Sequence, residues 1–228
     1  MTNSSFEDQL TTLKARLVAM GTAAESMIDR AVTGLLERDE GRHPDVFRLE
    51  KDVNAMQIDI DERVVSVLAL QNPVAADLRL VVMASKIAGE LERIGDQAVN
   101  ICQNTAHLLR YPPLKPLIDI PHMAGVVRRM LRESLDSFVT RDVTLAAKVM
   151  SSDDEVDAFK NQIFRELLTY MMADPGTIPR ALSLILISRN LERVGDHATN
   201  IAEEVIYAAE GRDVRHRHET KKRTIEKE

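Results

Sequence analysis

Several things are scarce in this sequence, and each scarcity removes a class of protein. A single cysteine, Cys102, occurs in 228 residues. An intramolecular disulfide framework and a cysteine-rich zinc site are therefore excluded. Tryptophan is absent, and aromatic residues make up 4% of the chain. Nine glycines and eight prolines are few for this length. A β-sandwich needs many turn residues and strands rich in aromatic or β-branched side chains, so an all-β fold is not expected. No apolar run reaches the roughly 18 residues that a membrane-spanning helix requires. The opening MTNSSFEDQL has neither a basic region nor an apolar one and does not read as a signal peptide. A cytoplasmic protein is expected.

A basic excess is also missing. The net charge is −6 and the pI about 5.6. Residues 212–228 hold seven Lys or Arg against four Asp or Glu, so the rest of the chain carries −6 − 3 = −9. Neutralising phosphates takes Lys and Arg, so this acidic body argues against nucleic acid as a partner. The tail has no apolar periodicity, and 211–228 reads as a charged, disordered end. What the chain does have is 44% hydrophobic and 29% charged residues, enough for one large core or two small ones. Its Ala, Leu, Met, Glu and Arg favour helices.

The chain repeats itself. Residues 91–101, LERIGDQAVNI, return as 191–201, LERVGDHATNI, with eight of eleven positions identical at an offset of 100. Further back the offset is 103. Arg38-Asp39 returns as Arg141-Asp142, and Asp52-Val53-Asn54-Ala55 as Glu155-Val156-Asp157-Ala158. The three-residue difference belongs between residues 55 and 91, where Gln71-Asn72-Pro73 is the breaker signal.

The breakers predict six helices, at about 5–38, 45–70, 74–110, 122–140, 152–172 and 178–210. Asp52 also looks like a fresh helix start. The fold class is all-α: two tandem three-helix bundles from an internal duplication, spanning 1–110 and 122–210. The stretch 111–121, YPPLKPLIDIP, holds four prolines and reads as the linker between them. At about 100° per residue, Leu80, Ala84, Ile87, Leu91, Ile94, Ala98 and Ile101 share one stripe, the core face of the third helix.

Beside that stripe runs a second one, Glu92, Asp96 and Asn100, spaced i, i+4, i+8. The second repeat matches it with Glu192, Asp196 and Asn200. Two carboxylates at this spacing repel, more strongly at a bundle edge than in water, so something must offset the charge twice. Gly95 and Gly195 sit in the same mid-helix segments, each at a cost of about 1 kcal/mol relative to alanine. Glycine admits a neighbouring helix or a ligand closely. Duplicated carboxylates and glycines point to a cation held by oxygen ligands. The competing reading is that Arg93, Arg193 or basic residues of other helices pair with them. His197 offers a nitrogen, but its counterpart is Gln97, and it reads as polar surface.

Catalytic signatures are missing. The one Glu-x-x-His match, Glu40–His43, sits in the DEGRHP loop without a second copy, against a ferritin-like di-iron site. No phosphate-binding loop, dinucleotide fingerprint or nucleophile elbow occurs. No enzymatic activity is expected. The alternative to a binding protein is a metal buffer or metal-dependent helical enzyme.

LERIGD and LERVGDHATNIAEEV, preceded by PVAADLRL (73–80) and DPGTIPRAL (174–182) and followed by GRDVRH (211–216), resemble the PhoU family over about residues 5–216. The resemblance implies tandem three-helix bundles. It implies a negative regulator of the phosphate-starvation response, joining the ATPase subunit of a phosphate ABC transporter to a PhoR-type sensor histidine kinase. It further implies a homodimer that meets the membrane only through those partners. Some members bind iron, zinc, manganese or magnesium through Glu/Asp-x-x-x-Asp motifs. Carried onto this sequence, the ligands are Glu92 with Asp96 and Glu192 with Asp196. Asn100 and Asn200 match the next polar position and complete the candidate metal set.

Overall fold

The computed structural model describes residues 2–215, and every regular element among them is helical. The first repeat is α1 (Thr2–Glu37), α2 (His43–Gln71) and α3 (Ala75–Leu109). The second is α4 (Asp119–Thr140), α5 (Val143–Ser151), α6 (Asp153–Ala173) and α7 (Ile178–Glu210). The fold is all-α: two three-helix bundles, the second with its middle helix in two pieces. All seven residues of the expected α3 core stripe are at most 2% exposed.

The repeated Arg-Asp pairs are the turns that end α1 and α4. Arg38 (φ 56) and Arg141 (φ 57) both take the left-handed conformation more usual for glycine or asparagine. Asp39 N–H then donates to the Gly34 carbonyl at 2.9 Å, and Asp142 N–H to the Ser137 carbonyl at 3.0 Å. Each aspartate also caps the helical turn after it: Asp39 accepts from Gly41 N–H, and Asp142 from Thr144 and Leu145 N–H. The left-handed cost of Arg38 is offset by its side chain, which donates to the Tyr111 carbonyl at 2.6 Å beyond α3.

The change of offset is visible in the turns. An offset of 103 carries Gln71 to Asp174, and an offset of 100 carries Ala75 to Pro175. Asn72, Pro73 and Val74 therefore have no counterpart, and they are the non-helical turn between α2 and α3. Asn72 turns the chain at φ 45, a conformation asparagine tolerates.

Three boundaries differ from expectation. α4 begins at Asp119, inside the proline-rich segment, with Pro121 in its first turn. The first N–H groups of a helix lack intrahelical partners in any case, so proline costs little there. Asp52 starts nothing, because α2 runs through it unbroken. The break falls in the other repeat, at Ser151–Ser152, whose hydroxyls hydrogen-bond back to the Ala147 and Lys148 carbonyls. Finally, the disordered end does not begin at 211. Gly211 terminates α7 at φ 68, and Val214 is buried. The remainder of the expected tail, 216–228, lies outside the described residues.

The proline-rich segment does not separate two independent cores. α3 runs antiparallel along α7, and α1 along α4, so buried side chains of both repeats form one continuous cluster. Across α1 and α4, Arg128 pairs with Asp29 at 2.5 Å and Arg132 with Glu25. No described helix is long and apolar enough to cross a membrane.

Candidate functional site

The two ladders occupy equivalent places, where the middle and last helices of each hairpin run side by side. In the first repeat Glu92 and Asn100 are half-buried on α3 and Asp96 is exposed. Partial desolvation on the helix surface pushes the Glu92 carboxyl up from its usual range and does the same to Asp96 despite its exposure. Negative neighbours add to this: Asp96 and Glu50 act on Glu92, and Glu50 acts on Asp96. Arg93 does not pair with Glu92. It reaches Glu90 at 3.1 Å. Among the described residues no lysine or arginine stands within ion-pair distance of Glu50, Glu92 or Asp96. Glu50, on α2, was not among the candidates. The repeat itself could have found it, since Glu50 plus 103 is Asp153, also acidic.

The second ladder is filled differently. Lys160 of α6 places Nζ 3.0 Å from Glu192 Oε1 on α7 and 3.0 Å from Asp157 Oδ1 on its own helix. Burial disfavours the charged lysine, but the two carboxylates more than compensate, and its net shift is upward. Pairing with a basic residue of another helix thus holds for Glu192 and fails for Glu92. Asp196 is exposed. Asn200 turns to the other repeat, donating from Nδ2 to Glu90 Oε2 at 2.9 Å.

His197 is neither ladder ligand nor plain polar surface. It is half-buried between α3 and α7, with Nδ1 on Glu90 Oε2. The mid-helix glycines face their own bundles. A Cβ on Gly95 would lie 3.4 Å from Met27 Cε, and one on Gly195 3.4 Å from Val156 Cγ1, so a neighbouring helix fills the space. The closest glycine approach is at Gly21, where a Cβ would fall 2.0 Å from Leu135 Cδ1 across α1 and α4. Cys102 is buried, and burial raises its thiol to about 12, which makes it unreactive.

Among the described residues no three His, Cys, Asp or Glu side chains converge closely enough to form a ready-made metal cage. The donor chemistry still differs between the ladders. The first offers only carboxylates and amides, with like charges crowded together, which suits a hard cation taking oxygen ligands. In the second an ammonium already lies against Glu192.

The PhoU domain model matches this chain twice, over residues 17–105 and 120–205. The phosphate-specific transport system accessory protein PhoU homolog of Pseudomonas putida is 40% identical over 215 residues, 94% of this chain and 84% of that protein. The accessory protein PhoU of Escherichia coli K12 is 34% identical over 214 residues, 94% and 89% of the two chains. The crystal structure of PhoU from Pseudomonas aeruginosa matches at TM-score 0.87 and 38% identity, covering 91% of this chain and 100% of that one. With a matched domain in each repeat and relatives aligned along nearly its whole length, the chain belongs to the PhoU family.

Proposed function

We propose that this protein is a non-enzymatic accessory regulator of phosphate uptake. It links a phosphate ABC transporter, through the ATPase subunit, to a PhoR-type sensor histidine kinase, and it represses the starvation response while phosphate is plentiful. The observation that carries this is whole-length similarity to proteins named as phosphate-specific transport system accessory proteins. The reading places the protein in the cytoplasm as a homodimer, meeting the membrane only through its partners.

An adaptor needs surface rather than a reactive pocket. The second repeat exposes Phe164, Leu168 and Met172 on α6 and Ile178, Leu182 and Leu186 on α7, both sets at i, i+4, i+8. All six differ from their counterparts in the first repeat, and two of those counterparts are charged: Asp61 and Lys86 stand where Phe164 and Leu186 do. The exposed arginines Arg165, Arg189 and Arg193 flank them. Exposed apolar stripes with a charged border suit protein docking.

Metal belongs to the same proposal. Glu92 and Asp96, and in the second repeat Glu192 and Asp196, are its ligands, with iron, zinc, manganese or magnesium as candidates. A bound cation supplies positive charge that offsets the carboxylate repulsion and ties α3 or α7 to its neighbour.

The test is deletion of the gene in phosphate-rich medium, with alkaline phosphatase and transporter expression as readouts. Both rise if the regulator represses the response. Unchanged expression overturns the regulatory reading. Co-purification from phosphate-replete cells, with light scattering of the purified protein, tests the partners and the dimer.

A further inference from the structure

Near the ends of α1 and α3 and the start of α7, the proline-rich segment borders a cleft of about 250 Å³. Six leucines line it: Leu35 and Leu36 on α1, Leu108 on α3, Leu114 and Leu117 in the segment itself, and Leu184 on α7. Leu35, Leu108 and Leu184 are buried, whereas Leu36 is exposed. The segment cannot wind into a helix there, because Pro112, Pro113 and Pro116 fix φ and lack the N–H.

The charged side chains on the walls are Arg38 and Lys115. Lys115 is almost fully buried, and its ammonium is neutralised by Glu166 of α6. Arg38 has no such partner. Its Nη2 donates to the Tyr111 carbonyl at 2.6 Å and reaches the Leu109 carbonyl at 3.4 Å, and among the described residues no carboxylate stands within ion-pair distance of it. The acids beside it in sequence are engaged elsewhere, Glu37 with Arg42 and Asp39 with the Gly41 N–H. Arg180 of α7 comes to the same stretch from the other repeat, donating to the Pro112 carbonyl at 3.4 Å. An unpaired cation at the edge of a concave, leucine-lined space is the usual build of a small-ligand site.

We propose that this cleft binds a small amphipathic anion, a free medium-chain carboxylate whose tail lies among the leucines and whose head meets the Arg38 guanidinium. Guanidinium and carboxylate match in charge and in shape. An apolar cavity of about 150 Å³ already holds a benzene-sized guest, so a chain of about eight carbons suits this larger space. The walls come from α1 and α3 of one repeat and α7 of the other, so the ligand ties the two repeats together at this end. The proposal is independent of the metal and regulatory readings.

The test is titration of the full-length protein, its leucine methyls labelled, with octanoate, octanol and octylammonium, followed by methyl NMR and thermal melting. Octanoate should shift the methyls of the six lining leucines together and saturably, and raise the melting temperature. Octanol and octylammonium should each bind about tenfold or more weakly, since neither offers the guanidinium an anion. From hexanoate to octanoate the affinity should rise about fourfold per methylene, and beyond decanoate it should level off as the cleft fills. Arg38→Gln should reduce octanoate binding to the level of octanol, and Arg38→Lys should keep the preference. Where Arg38→Gln melts too low to titrate, Leu36→Trp at the exposed mouth gives the second reading and should weaken octanoate by about tenfold through loss of space. Octanoate and octanol binding alike, no saturable shift at about 10 mM octanoate, or shifts confined to the exposed Leu182 and Leu186 overturns the proposal. Unchanged octanoate affinity in a folded Arg38→Gln protein does the same.

Discussion

His197 Nδ1 and Glu90 Oε2 meet at 2.8 Å across the boundary between the repeats, one from α7 and the other from α3. Asn200 adds a second hydrogen bond to the same oxygen at 2.9 Å. Burial pushes the Glu90 carboxyl up, but the bonds from His197 and Asn200 outweigh it, and the net shift is downward. The repeat-related trio is Asn190, Gln97 and Asn100, with no ionisable member. One half of this pseudo-symmetric contact is therefore charged and the other neutral.

His197→Ala leaves the Glu90 carboxylate short of a donor in a largely buried place. Its expected cost is about 1–3 kcal/mol. Replacing both partners by the residues of the neutral half, Glu90→Asn with His197→Gln, should cost less than the sum of the single changes. Urea denaturation of the four proteins forms a double-mutant cycle, and additive losses would show that the pair is not coupled. The pH sign follows from the depressed Glu90 carboxyl. Its contribution is full above the ordinary carboxylate range and is lost as pH falls through the folded-state value.

Asp96 carries the opposite sign. Its carboxyl is raised by partial desolvation and by Glu50, so the ionised form opposes folding at neutral pH and protonation relieves the strain. In EDTA, Asp96→Asn should therefore melt above the wild type at pH 7. The gap should close as pH falls towards the ordinary carboxylate range, where the wild type takes up its proton. Melting curves of both proteins across that range measure the gap. A constant difference would locate its origin in packing rather than charge.

On the proposed docking face, Leu182→Glu and Leu186→Glu should leave the melting temperature within about 2 °C of wild type, since both side chains already lie in water. They should abolish co-purification of partners and raise alkaline phosphatase in phosphate-rich medium. The matching control is Leu78→Glu at the first repeat's hairpin end, which is also exposed. Loss of partner binding in the control alone would move the docking face to the first repeat.

Repeats and helix phase were legible because they depend on local chemistry. Eight identities in eleven positions announced α3 and α7, and the 3.6-residue period placed Ile87, Leu91 and Ile94 in the core. The extra turn Asn72-Pro73-Val74 was readable as a change of offset. Glu50 and Lys160 were not recognised, because each joins its ladder from a neighbouring helix and no spacing along α3 or α7 reports it. His197 was misread for the same reason. Its partner Glu90 lies 107 residues away, brought there by the antiparallel pairing of the repeats. α5 was overlooked because its start depends on Asp142 capping two N–H groups after a left-handed arginine, a pattern in which glycine is the usual sign.

The C-terminal segment after α7 supplies the last prediction. Gly211 adopts φ 68, its N–H donates to the Tyr207 carbonyl at 2.9 Å, and the chain then turns back so that Val214 is only 6% exposed. Arg79 of α3 packs its guanidinium against Gly211, and Arg215 lies 3.9 Å from Glu204 while bonding Asp213. A chain ending at residue 215 retains all of these contacts and should melt like the full-length protein. A chain ending at 210 loses the glycine cap and the buried valine. Burying a valine side chain contributes about 1.5–3 kcal/mol, so the shorter chain should be destabilised by about that much. Val214→Asp in the full-length protein should reproduce most of the loss, because a carboxylate there is buried without a partner. Urea denaturation of the three variants separates the outcomes. If truncation at 210 changes nothing, residues 211–215 merely lie on the surface. If truncation at 215 is as damaging as truncation at 210, the stabilising contact lies beyond Arg215.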